Sequence, residues 1–483
     1  MVFLTGEDLR ICFSLFCCVY GIGTLGMPGN YARAGYLWAT VALLFMASVN
    51  VYATWCISKV MLVAPKHVKT FGDIGHWCMG GFGRWATVLS QMAVCTMVPI
   101  VFLVLGGTLL TVLFPDSYSA ETWIIVMGLT VLPVCLVPTM KEGAGMAAAG
   151  CLGTIFADTV ALYLLVTNMN TNNIANVAPP SPALSFDSIT TVFGNLALAY
   201  GAGIVIPTLQ REHSDPTRMP RIIVVTLVLV SCCFLAVSIS GVSTVGCQIP
   251  GNLLFAVAGS SLGFQASRGG VILTFLAMQM HITIAFSVVM FPAFFIAERL
   301  VLGLHKEQFA LADAPNSVAV VGESYRNLDP KVDGMLEAND DHDCADAYKA
   351  PGAYRNAALV RIVMITICIV VAIAFKDHFG DLLDFVGASS TAMCCMILPI
   401  TFYLKTFGPT LRLPEKAFAV VCILVSLALS VYVSIKTGKA LFSGHVADAS
   451  IKFPSCAPEY QKVVYTNTSY YAAAHRALLT RYT

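Results

Sequence analysis

Two titratable side chains sit where they are expensive to keep. Asp158 lies in Thr154-Ile155-Phe156-Ala157-Asp158-Thr159 and His281 in Met280-His281-Ile282-Thr283, each near the middle of a long apolar run. Ionisable groups in such runs face the protein interior and mark ion or proton paths. Burial disfavours the charged form of a carboxyl, which suits a proton carrier. Imidazole titrates near neutral pH without help. The structural alternative for both is a hydrogen-bonded polar group, with Thr154 or Thr283 as the local partner. Gln91, in another apolar run, is either a substrate contact or a polar link between helices.

The elements around these residues are broken in two places. Tyr20-Gly21-Ile22-Gly23-Thr24-Leu25-Gly26-Met27-Pro28 interrupts the first apolar run, and Ala199-Tyr200-Gly201-Ala202-Gly203-Ile204-Val205-Ile206-Pro207 interrupts the sixth. Glycine gives up the most backbone entropy in a helix and proline lacks a donor N–H. In hydrocarbon, non-helical backbone is tolerated only where it is buried in protein or lines a cavity. Gly/Pro interruptions at corresponding positions of two halves point to a transporter site. A helix that restarts after such a break offers free N–H groups and a positive dipole end to an anion such as a carboxylate. The bland reading is close helix packing through small residues; the match between two sites favours a binding site. The candidate binding residues are Gly21, Ile22, Gly23, Thr24, Leu25, Tyr200, Gly201, Ala202, Gly203 and Gln91. Asp158 and His281 are the proton-coupling candidates.

Composition supports this frame. Of 483 residues, 57% are hydrophobic and 11% charged, against about 25% charged in a soluble domain. The mean hydropathy is +0.77. This is a polytopic membrane protein, all-α, and its net charge of +1 suggests no nucleic-acid partner. Taking about 20 apolar residues per crossing, eleven spans are predicted: 9–34, 36–62, 85–114, 121–140, 144–168, 189–209, 221–246, 270–302, 356–376, 382–405 and 415–437. Residues from Asn30 to Gly35 would form a very short turn between the first two. Ala32-Arg33-Ala34 resembles a signal-peptide cleavage site, but Glu7 and Asp8 replace a basic n-region, so a retained span is expected.

Lys and Arg are concentrated in alternate loops, at Lys59, Lys66, Lys69, Arg84, Lys141, Arg211, Arg218, Arg221, Lys405, Arg412 and Lys416. The positive-inside rule therefore places the N-terminus in the cytosol and the tail 438–483 outside. Asn467-Thr468-Ser469 in that tail is a glycosylation sequon. Residues 305–354 have the composition of a disordered cytosolic loop. Residues 169–188 read as irregular, and 66–84, with Phe71, Ile74, Trp77 and Phe82, as holding a short interfacial helix. The 17 cysteines contain no zinc-type pair, so no metal site is expected. Cys247 and Cys456 both fall in outer segments, and a disulfide between them is one pairing the sequence leaves open.

The order and spacing of several motifs resemble the amino acid/auxin permease family over nearly the whole chain. They are Gly21 to Pro28 with Ala34-Gly35; Ala199-Tyr200-Gly201 to Ile206-Pro207, then Glu212 and Asp215-Pro216; Gly241 to Gly246; Phe291-Pro292; Phe379-Gly380-Asp381-Leu382-Leu383-Asp384-Phe385-Val386-Gly387-Ala388; and Leu398-Pro399 with Tyr403-Leu404-Lys405. The resemblance implies about eleven transmembrane helices in the LeuT-like 5+5 inverted repeat of the amino acid–polyamine–organocation superfamily. Helices one and six would be broken, the repeats would cover about 9–168 and 189–405, and the transport unit would be 1–437. It implies secondary transport of amino acids coupled to protons or sodium. Members resembling the sodium-coupled branch carry Asn four residues before the first motif glycine and Thr seven before the span-eight proline. Cys17 and Ala285 stand there, so a proton is preferred to sodium as the coupling ion, and no other cofactor is expected.

The partners are then the bilayer and an amino acid, with oligomeric state left open. The rival readings are an amino acid sensor signalling through 305–354 and a sodium symporter; auxin-like acids stay open as substrates. A channel lacks a charge ring or carbonyl filter here. An enzyme lacks a nucleophile–base pair, and Gly21-x-Gly23 has no preceding strand. Plasma and vacuolar or lysosomal membranes both fit.

Overall fold

The computed structural model describes residues 3–137, 143–171, 178–259, 261–304, 348–443 and 451–471. Nearly all of them are helical, as a chain without water to satisfy its backbone requires. Among the described residues, nine helices are long and apolar enough to cross a membrane. One of them, Ile22–Val63, is divided at Gly35, whose φ of +69° suits only glycine. That division, with the shorter apolar helix Ala120–Cys135, supplies a helix for each of the eleven expected spans. The turn between spans one and two is tighter than expected: helix continues through Asn30 to Ala34, and Gly35 alone makes the corner.

Phe71 to Met79 forms a short helix within 66–84, where an interfacial helix is expected. A capping box holds its start, with Thr70 N donating to Asp73 at 2.9 Å and Asp73 N to Thr70 at 3.2 Å. Gly80, at φ +63°, then turns it into span three, which runs on to Leu113. Span four ends at Cys135, short of its predicted limit, and 138–142 lie outside the described residues. The loop expected at 305–354 is described only from Tyr348 onwards.

Spans one and six are broken. Span one is the helix Gly6–Val19, a 3-10 turn Ile22–Gly26, and helix again from Met27. Span six is Val192–Ala199, an irregular Tyr200–Ala202, a 3-10 turn Gly203–Val205 and the helix Ile206–Glu212. Spans three and ten pack in the middle with them. In span ten 78% of the most apolar window is buried, against 28% in spans nine and eleven, which lie outermost.

The bundle has a near end, where span one begins, and a far end opposite. At the near end Asp8 is fully buried and accepts from Arg218 Nε at 3.0 and 2.9 Å, and from the same guanidinium through Nη2 at 2.6 Å. His213 Nε2 lies 2.9 Å from it. These charge-assisted bonds tie the start of span one to the loop between spans six and seven. A second knot joins spans eight and nine: Arg361 Nε donates to Glu298 at 2.6 Å, and Tyr348 donates to the other carboxylate oxygen at 2.6 Å. Arg361 also donates to the carbonyls of Cys135 and Val137 at the end of span four, at 2.9 and 2.7 Å.

At the far end Cys247 and Cys456 form a disulfide. It joins the turn after span seven to the segment that follows span eleven, one of the pairings the sequence left open.

Candidate functional site

The two breaks meet. A Cβ on Gly23 would lie 2.6 Å from the Cβ and 2.7 Å from the Cα of Ala199, the last residue of the first half of span six. Real Cβ atoms do not come that close, so the contact requires glycine. Gly203 likewise leaves no room, since its Cβ would stand 2.8 Å from Cys395 Cα in span ten. There span ten is wound as a wide π-helix over Gly387–Thr391 and Met393–Ile397. Such π stretches are rare and recur at functional sites. Gly387 packs directly on the Gly194 carbonyl of span six.

Within the breaks, backbone groups are partly used. Thr24 N and its hydroxyl donate to the Gly21 carbonyl at 3.1 and 3.0 Å. Ala202 N donates to Tyr200 O at 2.6 Å and Gly201 N to Leu198 O at 3.2 Å. The first N–H groups of a helical turn have no partner within it, which points to Ile22 and Gly23. Ile22, Thr24, Leu25 and Ala202 are buried around this contact, and Gly201 is partly buried.

Asp158 and His281 both converge on the first break. Asp158, 2% exposed, accepts from the Tyr20 hydroxyl at 3.1 Å. Its other oxygen has no hydrogen-bond partner among the described residues. The imidazole of His281 fits between two glycines: a Cβ on Gly21 would lie 3.3 Å from Nε2, and one on Gly150 3.2 Å from Nδ1. Nδ1 also lacks a partner among the described residues. Phe102 of span three meets the ring edge-on at 6.4 Å. The expected threonine partners are engaged elsewhere. Thr154 donates to the Gly150 carbonyl at 3.3 Å and Thr283 to Gln279 at 2.9 Å, each along its own helix. Gln91 is half-buried on span three, about three turns from Phe102.

Aromatic rings connect the breaks. Tyr20 stacks on Phe234 of span seven at 6.0 Å, and Phe234 meets Tyr200 edge-on at 5.2 Å. The Tyr200 hydroxyl is bonded to Ser231 at 2.6 Å. The three rings thus form a continuous packed row from Tyr20, beside the first break, to Tyr200 in the second.

One turn towards the far end is a polar layer that sequence reasoning missed. Asn30 donates to Asn195 at 2.8 Å, Arg33 donates to Asn30 at 2.8 Å, and Arg33 donates to Asp384 at 2.7 Å. This ties span one to spans six and ten. Asp384 is 3% exposed. An Asp and an Arg within apolar spans are themselves a signal, but in the sequence Arg33 reads as part of a short turn and of the cleavage-like Ala32-Arg33-Ala34. Asp384 is buried while 29% of the Arg33 side chain stays exposed, so removing Arg33 strands a buried carboxylate, at a cost below the roughly 3–5 kcal/mol of a fully buried pair. Either single reversal, Arg33→Asp or Asp384→Arg, is expected to lower uptake at least about tenfold, and the double reversal to recover most of it. Uptake normalised to surface protein checks this.

A helical membrane bundle with two broken helices in contact, and titratable groups at the break, defines a membrane transporter. The chain belongs to the transmembrane amino acid transporter family, whose profile matches residues 8–438. It is a multi-pass integral membrane protein and a transporter of the amino acid class, not an enzyme. Two relatives from Arabidopsis thaliana are similar along most of their length. Amino acid transporter AVT1J is 20% identical over 89% of both chains. Amino acid transporter AVT1I is 20% identical over 83% of this chain and 86% of its own. The crystal structure of MhsT in complex with L-phenylalanine superposes with a TM-score of 0.51 at 11% identity, covering 89% of this chain and 98% of that one. That likeness shows the LeuT-type fold.

Proposed function

We propose that the protein moves an amino acid across the membrane by alternating access, coupled to protons. The observation that carries this reading is the contact of the two breaks at Gly23 and Ala199, with Asp158 and His281 beside the first. Within Gly21 to Leu25, where a helix restarts, Thr24 N is bonded to Gly21 O, so the substrate carboxylate meets the N–H groups that the turn leaves free, those of Ile22 and Gly23. Its ammonium meets carbonyls of the Tyr200–Gly203 turn. Spans one to five and six to ten act as two inverted repeats within a transport unit of residues 1–437, and 305–354 is a cytosolic loop.

The near end faces the cytosol and the far end an extracytosolic compartment. The Cys247–Cys456 disulfide supports this, since disulfides persist in oxidising compartments. So does the exposed Asn467 of the sequon. The membrane is the plasma membrane or a vacuolar or lysosomal one. The polar tie at Arg33–Asp384 and the cluster at Asp8–Arg218 both being formed fits an occluded state, closed towards either side.

A proton is favoured over sodium because hard oxygen ligands are missing from two places. Cys17 is buried, and Ala285 offers no oxygen. The neighbouring Thr283 hydroxyl is turned to its own helix, and that of Ser287 donates to Thr283 O at 3.4 Å and accepts from the Cys135 thiol of span four at 3.7 Å. Proteoliposomes with an imposed pH gradient and a panel of radiolabelled amino acids test the reading. Uptake is expected in sodium-free buffer, rising with the inward proton gradient. Complete dependence on sodium with no response to pH would sink proton coupling, and no uptake of any amino acid would sink the transport reading.

A further inference from the structure

The segment after span eleven does more than end the chain. Three separate stretches form a strap over the far end. Residues 451–471 pair with the run before span six: Ala183 N donates to Ser455 O at 3.0 Å and Ala457 N to Ser181 O at 3.2 Å. Cys247 N donates to Pro180 O at 3.0 Å, and its sulfur is bonded to Cys456. Gln248, 1% exposed, holds the remainder through one amide. Its Nε2 donates to the carbonyl of Val463 at 2.8 Å and to the Tyr471 hydroxyl at 2.7 Å, and its Oε1 accepts from Tyr465 N at 2.8 Å. Tyr460 and Tyr465 pack on Tyr471, each with ring centres 5.4 Å apart. The strap also lies against span one, since a Cβ on Gly35 would come within 3.4 Å of Leu184 and 3.5 Å of Pro182.

Ser455 lines a cavity of about 100 Å³ together with Gly29, Arg33, Asn195, Gly380 and Asp384. The cavity thus has the Arg33–Asp384 pair on one wall and the strap on another. Asp384 Oδ1 has no partner among the described residues.

We propose that residues 451–471 are a disulfide-stapled lid that limits access from the far compartment to the chamber above Arg33–Asp384, with Ser455 as the residue at its edge. The lid moves with spans six and seven, to which its bonds run. Loosening the staple opens the chamber.

Thiol accessibility tests this without relying on transport. Leu383 lines the cavity and is only 4% exposed, so Leu383→Cys is a reporter that labels quickly only when the chamber opens. The full chain in proteoliposomes is treated with a membrane-impermeant methanethiosulfonate, and labelling above that of the parent chain is timed. Removing the staple with Cys247→Ala and Cys456→Ala is expected to speed reporter labelling at least about tenfold. Ser455→Trp, with the staple intact, fills the chamber and is expected to slow it at least about threefold. Rates that agree within twofold among the three proteins overturn the lid. If the staple-free protein fails to fold, the Ser455→Trp comparison alone decides, and an unchanged rate there overturns the proposal.

Discussion

Replacing Gly23 by valine is expected to abolish uptake while the protein still reaches the membrane. Even a single methyl at this position must push against the Cα and Cβ of Ala199, at 2.7 and 2.6 Å. The obstacle is backbone on the opposing half-helix, so no rotamer relieves it. Overpacking of this kind typically costs about 1–3 kcal/mol in a core. Here the strain falls between the 3-10 turn that carries Gly23 and the last residue of the helix Val192–Ala199, and the cheapest relief is to separate them. Separation moves Ile22 and Gly23 away from the Tyr200–Gly203 turn, and the two halves of the site no longer face one substrate. Gly23→Ala is expected to leave about a tenth of the uptake, and valine none above background. Gly145→Ala is the control, because a Cβ there meets nothing within 4 Å. Surface biotinylation beside initial-rate uptake separates loss of function from loss of protein. Parent-like uptake with Gly23→Val would remove this contact from the mechanism.

The sequence showed the breaks because their cause is local. Gly21, Gly23, Gly201 and Gly203 interrupt runs that otherwise satisfy every rule for a crossing helix, and proline follows within a few residues in both. The apolar runs were legible for the same reason. Pairings across the fold were not. Arg33 and Asp384 are 351 positions apart, and Arg361 and Glu298 are 63 apart. Each residue was visible as an ionisable group within a span, but nothing local names its partner. The π winding of span ten was hidden too, because it arises where Gly387 and Cys395 pack against the two halves of span six. The strap was the least legible part. Tyr460, Tyr465 and Tyr471 have neither helical nor strand spacing, and they are ordered by the amide of Gln248, over 200 positions earlier in the sequence.

Asp158→Asn is expected to uncouple transport from the pH gradient without destroying the site. Asparagine has nearly the same shape and can still accept the Tyr20 hydroxyl, which donates to Asp158 at 3.1 Å. It cannot exchange a proton. In the parent, loading a proton onto the carboxyl replaces a charged acceptor by a neutral group that also donates, and the bond to Tyr20 weakens or reverses. Tyr20 is joined to Gly21 by one peptide bond and packs towards Tyr200 through Phe234, so the change is expected to reach both breaks. A ligand shifts a conformational equilibrium only by its different affinity for the two states, and this bond supplies such a difference. One pH unit corresponds to about 1.4 kcal/mol per proton, so a two-unit gradient supports accumulation of at most about a hundredfold for one proton. With Asp158→Asn, accumulation in proteoliposomes should fall to the level seen without a gradient, while exchange against internal substrate keeps at least about a third of its parent rate. His281→Gln serves as the comparison, since that imidazole touches the same break from span eight. If Asp158→Asn still accumulates substrate along the gradient and His281→Gln does not, the proton is carried by the imidazole. If both still accumulate it, neither group at this break carries the proton.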